Sequence, residues 1–132
     1  MHRFPVTVYY EDTDMGGIVY HANYLKYIER ARSAWVRELG VDQNAMRAAG
    51  LVFAVRHIAA DFRAPARLDD QLTVITELFA IHGARFLMSQ QVTDPSGHPI
   101  FTAEVTVVTI TLTGRPARLP AELRRKLAAV IS

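Results

Sequence analysis

The sequence predicts an α+β chain: a five-stranded antiparallel sheet with one long helix packed against it. Three observations lead there. Residues 4–10 alternate apolar and polar with a period of two, residues from about Tyr20 to Leu39 repeat every 3.6, and the remainder holds four segments rich in β-branched side chains and separated by turn formers. At 132 residues the chain is the right size for one domain spanning 1–132 with one core.

The first strand is read from Phe4, Val6, Val8 and Tyr10, which share one face, with Pro5 placing it at an edge or a strand entry. Residues 11–19, EDTDMGGIV, break the alternation with Asp12, Asp14 and Gly16-Gly17 and form a loop. The helix follows. Tyr20, Tyr24, Tyr27, Ile28, Ala31, Trp35 and Leu39 fall on one stripe, and Gly40 stops it. Residues 41–50 make a helical turn and loop. Strands are expected at 51–62, 71–81, 84–94 and 99–112, divided by Pro65, His82-Gly83 and Pro95-Ser96-Gly97. Both faces of 105–112 are apolar or carry Thr, which suits a central strand. A short amphipathic helix, ELRRKLAAVI, closes the chain. One helix covers only one sheet face, so a partner copy is expected on the open surfaces.

Composition excludes several classes. Hydrophobic residues at 50% and charged residues at 21% exclude a disordered chain. The absence of cysteine removes disulfides, thiolate metal sites and a cysteine nucleophile together. Fifteen Lys and Arg against thirteen Asp and Glu is too balanced a ratio to indicate nucleic-acid binding. No apolar run has the length of a membrane span, and MHRFPVTVYYEDTD lacks the apolar core of a secretory signal. A cytoplasmic protein without membrane insertion is the expectation.

Reactive side chains are densest in 9–24, YYEDTDMGGIVYHANY, where Glu11, Asp12, Asp14 and His21 surround a strand–loop–helix junction. The first turn of a helix offers free N–H groups and partial positive charge, so the backbone near His21 suits an oxyanion or a polarised carbonyl. A carboxylate on the preceding loop can face the same point. Plainer readings stand beside this one: Asp12 and Asp14 as turn and cap residues, Tyr10 as core, and the tyrosine stripe as packing. A calcium loop starting at Asp12 would place Gly16 and Asn23 at its fifth and twelfth positions, where oxygen donors and a Glu are needed. The chain has no GxSxG elbow, no P-loop and no GxGxxG, and Asp12, Asp14 and His21 are too few for a metal set, so no metal is assigned.

The stretch VYYEDTDMGGIVYHANYLKYIERAR resembles the signature of hotdog-fold acyl-CoA thioesterases, in particular the YbgC-type subgroup associated with the Tol-Pal system of Gram-negative bacteria; the related 4-hydroxybenzoyl-CoA thioesterases share its loop Asp and helix start. FRAPARLDD at 62–70 is similar to the subgroup's second recurring segment. The resemblance covers almost the whole chain. It implies a sheet wrapped around the long helix and active sites between subunits of a homodimer or homotetramer. Asp14 matches the catalytic carboxylate, His21 the residue whose backbone N–H faces the thioester oxygen, and Tyr10 a tyrosine of the same site. Asp12 matches too, without a catalytic role. Coenzyme A is then part of the substrate and no cofactor is required. Its phosphates call for basic side chains, for which Arg67 and Arg85 are the candidates, and the acyl chain calls for an apolar tunnel, for which Tyr24, Tyr27 and Ile28 are candidates. Acyl carrier protein is a further candidate partner. The expected reaction is hydrolysis of an aliphatic acyl-CoA. An aromatic acyl-CoA thioesterase, a hotdog enoyl-CoA hydratase and a non-catalytic acyl-CoA-binding module are the alternatives.

Overall fold

The computed structural model describes residues 1–131. Five strands, β1 (His2–Thr7), β2 (Leu51–Phe62), β3 (Gln71–His82), β4 (Arg85–Thr93) and β5 (Pro99–Thr111), form one sheet in the order β1-β3-β4-β5-β2. Every pair is antiparallel. Three helices accompany it: α1 (Asn23–Glu38), α2 (Gln43–Ala48) and α3 (Ala121–Ala128). This is the α+β hotdog arrangement, a sheet curved around the long helix.

The α1 stripe buries Tyr24, Tyr27, Ile28, Ala31 and Trp35. It lies across β1, β3 and β4, against Val6, Val8, Val74, Phe86, Met88 and Phe101. Tyr24 stacks parallel on Phe101 with ring centroids 4.9 Å apart. Gly40 closes the helix as the sequence requires. At φ 82° it sits in the left-handed region, its N–H donates to the Arg37 carbonyl, and the Val41 N–H reaches back to Val36. From α3, Leu123 and Leu127 pack into the same core, together with Leu119 just ahead of it. Two basic side chains of α3 tie it to neighbouring turns: Arg124 donates to the Gly83 carbonyl and Lys126 to that of Gly40.

Three details differ from the sequence reading. First, β1 ends at Thr7, and Tyr10 stands outside it, 82% exposed at the start of a 3₁₀ turn, Tyr10–Asp12. The Asp12 carboxylate takes the Tyr9 N–H, and that bond turns the chain out of the strand. Secondly, α1 starts at Asn23 rather than Tyr20: Tyr20 still pairs with Asp12 in the preceding loop, and the Tyr20, His21 and Ala22 carbonyls accept from the residue three ahead, a turn rather than α-helix. Its sixteen residues span about 24 Å. Thirdly, Tyr24, Tyr27 and Ile28 face the sheet and fill the core; Tyr27 and Ile28 have no exposed surface, so they line no tunnel.

β5 is interior to the sheet, as its two-sided apolar pattern predicts. β2 is an edge strand twelve residues long, bulged between Val55 and His57 and open along one side.

Candidate active site

The loop between β1 and α1 is a small hairpin. Thr13 bridges Val19, the Asp14 N–H donates to Ile18, and the Tyr20 N–H to Asp12. Asp14 sits at its tip. Its Oδ1 accepts from the Gly16 N–H at 2.9 Å and its carbonyl from the Gly17 N–H at 3.0 Å, with Gly17 at φ 78°. Oδ2 accepts no hydrogen bond among the described residues and the side chain is exposed. A Cβ on Gly16 would approach Oδ1 to 3.2 Å, so glycine there leaves the carboxylate its position.

The two aspartates of the hairpin differ in kind. Asp12 is 4% exposed; Oδ2 accepts from the Tyr9 N–H and Oδ1 from the Asn23 side-chain amide, both at 2.9 Å. It thus ties the hairpin to the first residue of α1. The Tyr27 hydroxyl is buried nearby, outside hydrogen-bond geometry. Burial first, then the Asp12 charge, pushes its ionisation well above the ordinary tyrosine value.

At the helix start, Tyr20, His21 and Ala22 carbonyls accept from the N–H groups of Asn23, Tyr24 and Leu25. The Tyr20 N–H is spent on Asp12, whereas those of His21 and Ala22 donate to no acceptor among the described residues. These two free donors stand at the positive end of α1. From the Asp12–Tyr20 pair, Asp14 is two hairpin steps away, about 7 Å, and His21 is the next residue. The His21 ring lies against Tyr20 at 4.6 Å and edge-on to Phe62 at 6.0 Å. Phe62, 53% exposed at the end of β2, also contacts Tyr24 and Phe101. With the exposed rings of Tyr9, Tyr10 and Tyr20, it gives the junction an aromatic rim.

Segment 62–70 buttresses the hairpin. The Val19 N–H donates to Ala66, Arg67 bridges Ile18, and the Arg67 N–H is held by the Asp70 carboxylate at 2.8 Å. Val8 and Asp69–Asp70 exchange backbone bonds, with Asp69 held at φ 70°, a left-handed value uncommon outside glycine. Arg67 is therefore exposed beside the Asp14 hairpin. Arg85 is not. It opens β4 opposite Val108, seven residue steps along β5 from Phe101, about 24 Å. Within one chain the structure brings together Asp14, His21, Tyr10 and Arg67, and leaves Arg85 at the other end of the sheet.

Sequence reasoning missed Phe62, the Asp12–Asn23 clamp and the Ala66–Asp70 brace. An aromatic heading the 62–70 segment was the one available signal. The clamp joins residues that sequence spacing does not mark as a pair. No group of three or more His, Asp or Glu is placed to hold a metal ion among the described residues, and no described helix is long and apolar enough to cross a membrane.

A hairpin carboxylate beside a helix start, with two N–H groups free among the described residues, can polarise a carbonyl and present a base to it, and residues 8–127 match the thioesterase-like superfamily. The chain belongs to that family. Among its relatives is the acyl-CoA thioester hydrolase YbgC of Escherichia coli O6:H1, 40% identical over 121 residues, covering 91% of this chain and 90% of that one. The acyl-CoA thioesterase YbgC of Haemophilus influenzae is 47% identical over 89 residues, 67% of this chain and 65% of that one. Among solved structures, a probable thioesterase from Bartonella henselae superposes with a TM-score of 0.84 at 40% identity, covering 90% of this chain and 98% of its own.

Proposed function

We propose that this chain is an acyl-CoA thioesterase that hydrolyses aliphatic acyl-CoA to the free acid and coenzyme A, acting as a single hotdog unit over residues 1–132. One observation carries the reading: the exposed Asp14 carboxylate, with Oδ2 unengaged among the described residues, shares a hairpin with the start of α1, where the His21 and Ala22 N–H groups are likewise free among those residues.

The chemistry follows from that placement. The thioester oxygen accepts from the free N–H groups, which stabilise the negative charge that grows on it as the carbonyl carbon becomes tetrahedral. Asp14 Oδ2 takes a proton from water as the water oxygen adds to that carbon. The C–S bond breaks, and the departing thiolate takes the proton from Asp14, which restores the carboxylate. The same oxygen can instead attack the carbon directly, expelling the coenzyme A thiolate as the C–S bond breaks and forming a mixed anhydride that water then cleaves to the free acid and the Asp14 carboxylate. Because a thiolate leaves readily, a carboxylate and an oxyanion site suffice without serine or cysteine. The His21 ring orients the substrate or the attacking water. Tyr10, on the rim, contacts the substrate. Arg67 meets the coenzyme A phosphates as they approach the hairpin, and Arg85 serves them only from another copy of the chain.

β2 presents an unpaired edge with exposed Val55 and Phe62, which supports a homodimer or a tetramer of such pairs. No cofactor is required. A cytoplasmic location, work alongside the Tol-Pal system and service to acyl carrier protein belong to the same reading. The aromatic rim of Tyr20, His21 and Phe62 favours a second reading, an aromatic acyl group. The test is thiol release from a ladder of aliphatic acyl-CoAs and benzoyl-CoA, with wild type and Asp14→Asn. Turnover by wild type that falls at least 100-fold in the variant supports the reading; near-normal turnover in Asp14→Asn refutes it. Loss of the crotonyl-CoA double bond without thiol release would identify a hydratase, and tight binding with neither reaction a binding module.

A further inference from the structure

The Asp70 carboxylate takes no part in the chemistry above, yet it is half-buried and fixed. Its Oδ2 accepts from the Arg67 N–H at 2.8 Å, while the Asp70 N–H donates back to the Arg67 carbonyl at 3.0 Å. Residues 67–70 thus form a turn closed from both ends. Its third residue, Asp69, stands at φ 70°. That position of a turn favours glycine, and a Cβ there is disfavoured. The Asp70 side-chain bond therefore stabilises a turn that its own third residue opposes. No cation pairs with Asp70 among the described residues, so its engagement is with the turn and not with an ion pair.

Both sides of the site are attached to this turn. On the β1 side, the Val8 N–H donates to the Asp70 carbonyl at 3.0 Å and the Asp69 N–H to the Val8 carbonyl at 2.9 Å. On the hairpin side, Arg67 bridges Ile18, and the Val19 N–H donates to the Ala66 carbonyl at 2.8 Å. The Ile18 carbonyl accepts the Asp14 N–H at 2.9 Å. A continuous path therefore runs from the Asp70 carboxylate through the Arg67 backbone and Ile18 to Asp14. The turn also lies beside the helix start: burial first, and the Asp70 charge with it, raise the pKa of Tyr24 in the first turn of α1. Asp14 makes one side-chain bond, to the Gly16 N–H within its own loop. Its direction is thus set by the hairpin backbone, and that backbone is held by the turn. A shift of about 1 Å at a reacting group costs on the order of 100-fold in rate, so a small relaxation of the turn is enough to matter.

We propose that Asp70 is a positioning residue for the hydrolysis: by closing the 67–70 turn it fixes the limb of the hairpin that returns to α1, and so sets where the Asp14 carboxylate stands against the helix start. The inference rests on the reading of Asp14 as base or nucleophile. What Asp70 supplies is a hydrogen-bond acceptor, not a charge or a proton.

The test is steady-state thiol release, with the acyl-CoA of an acetyl- to palmitoyl-CoA ladder that wild type cleaves fastest, at a temperature below the melting transition of every variant. Asp70→Ala lowers kcat at least tenfold with KM within threefold of wild type. Asp70→Asn, whose amide oxygen accepts the same Arg67 N–H, recovers most of the loss. The double variant Asp14→Asn/Asp70→Ala is no slower than Asp14→Asn alone, because the two residues act through one carboxylate. Should Asp70→Ala fail to fold, Asp70→Glu takes its place in each comparison: it keeps the charge, sets the carboxylate one methylene too far out and lowers kcat at least fivefold. An unchanged kcat in the folded Asp70→Ala or Asp70→Glu variant overturns the proposal. So does an Asp70→Asn variant as slow as Asp70→Ala, which would make the charge the active feature, or a double variant slower than Asp14→Asn by the full Asp70→Ala factor, which would make the two independent. A wild type without thiol release, or near-normal turnover in Asp14→Asn, refutes the reading of the hairpin and this inference with it; a slow Asp14→Asn beside an unaffected Asp70→Ala refutes this inference alone.

Discussion

Replacing each hairpin aspartate by asparagine separates structure from chemistry two residues apart. Asp12 is buried and both its oxygens are engaged, by the Tyr9 N–H and by the Asn23 amide. An amide keeps one acceptor and turns an NH₂ toward the other donor. One charge-assisted bond is lost, worth about 1.5–3 kcal/mol, and the other becomes neutral, losing about 1 kcal/mol more. Removing a buried charge without a cation nearby offsets part of this, which leaves a net loss of about 2–3 kcal/mol. At this chain length about 4 °C accompanies each kcal/mol, so Tm falls by roughly 8–12 °C. Asp14 is exposed and its one side-chain bond, to the Gly16 N–H, survives in the amide. Asp14→Asn therefore changes stability by less than about 0.5 kcal/mol, yet it removes the base or nucleophile and lowers kcat/KM at least 100-fold, about 2.7 kcal/mol of barrier. The assays are thermal denaturation by circular dichroism and thiol release from acyl-CoA below both transitions. Asp12→Asn should be the less stable variant and the more active one. If Asp14→Asn unfolds earlier, or Asp12→Asn is the less active while folded, the division of labour is wrong.

Gly16→Ala sets a methyl 3.2 Å from Asp14 Oδ1 and pushes the carboxylate aside; thiol release should fall about tenfold or more with little change in Tm. Gly40→Ala forces a side chain into φ 82° at the end of α1 and should cost about 1 kcal/mol, read by urea denaturation. Tyr24 and Tyr27 both titrate higher in the folded chain than in the unfolded one, each chiefly through burial. Their contribution is intact below the ordinary tyrosine value of about 10 and is lost as pH rises past it, because the unfolded chain ionises first, at up to about 1.4 kcal/mol per pH unit for each. Tyr27→Phe should flatten that alkaline slope. At pH 7 it should cost under about 0.5 kcal/mol, since the hydroxyl makes no hydrogen bond among the described residues; a loss of 2 kcal/mol would mean that it donates to Asp12.

Much of the fold was legible because hydrophobic period is a local property. Val6 and Val8 point inward and the Tyr24–Trp35 stripe is buried as their spacing requires, and β2 to β5 lie within a residue or two of their expected bounds. The misreadings share a cause. Tyr10 continues the alternation of β1, and Tyr20 the period of α1, yet both are exposed. Each flanks a segment organised by Asp12, whose carboxylate takes the Tyr9 N–H three residues back and whose carbonyl takes the Tyr20 N–H across the hairpin, and these hydrogen bonds override periodicity there. In the site, Asp14 and His21 were visible as residue types near a helix start. Phe62 and Ala66–Asp70 lie some forty residues on and reach the hairpin only through sheet pairing.

By itself the sequence determined which segments are strand or helix, which faces are apolar, where glycine must end α1 and which short stretch carries reactive groups, because all of these depend on neighbours within a turn or a strand. Tertiary structure alone decided that Asp12 is buried and Asp14 free, and that Arg67 and not Arg85 stands beside the hairpin. The first rests on the contact between Asp12 and Asn23 of α1, and the second on sheet order, which pairs β2 with β5 and leaves it at an edge. Sheet order is set by the packing of the whole core and leaves no periodic trace along the chain.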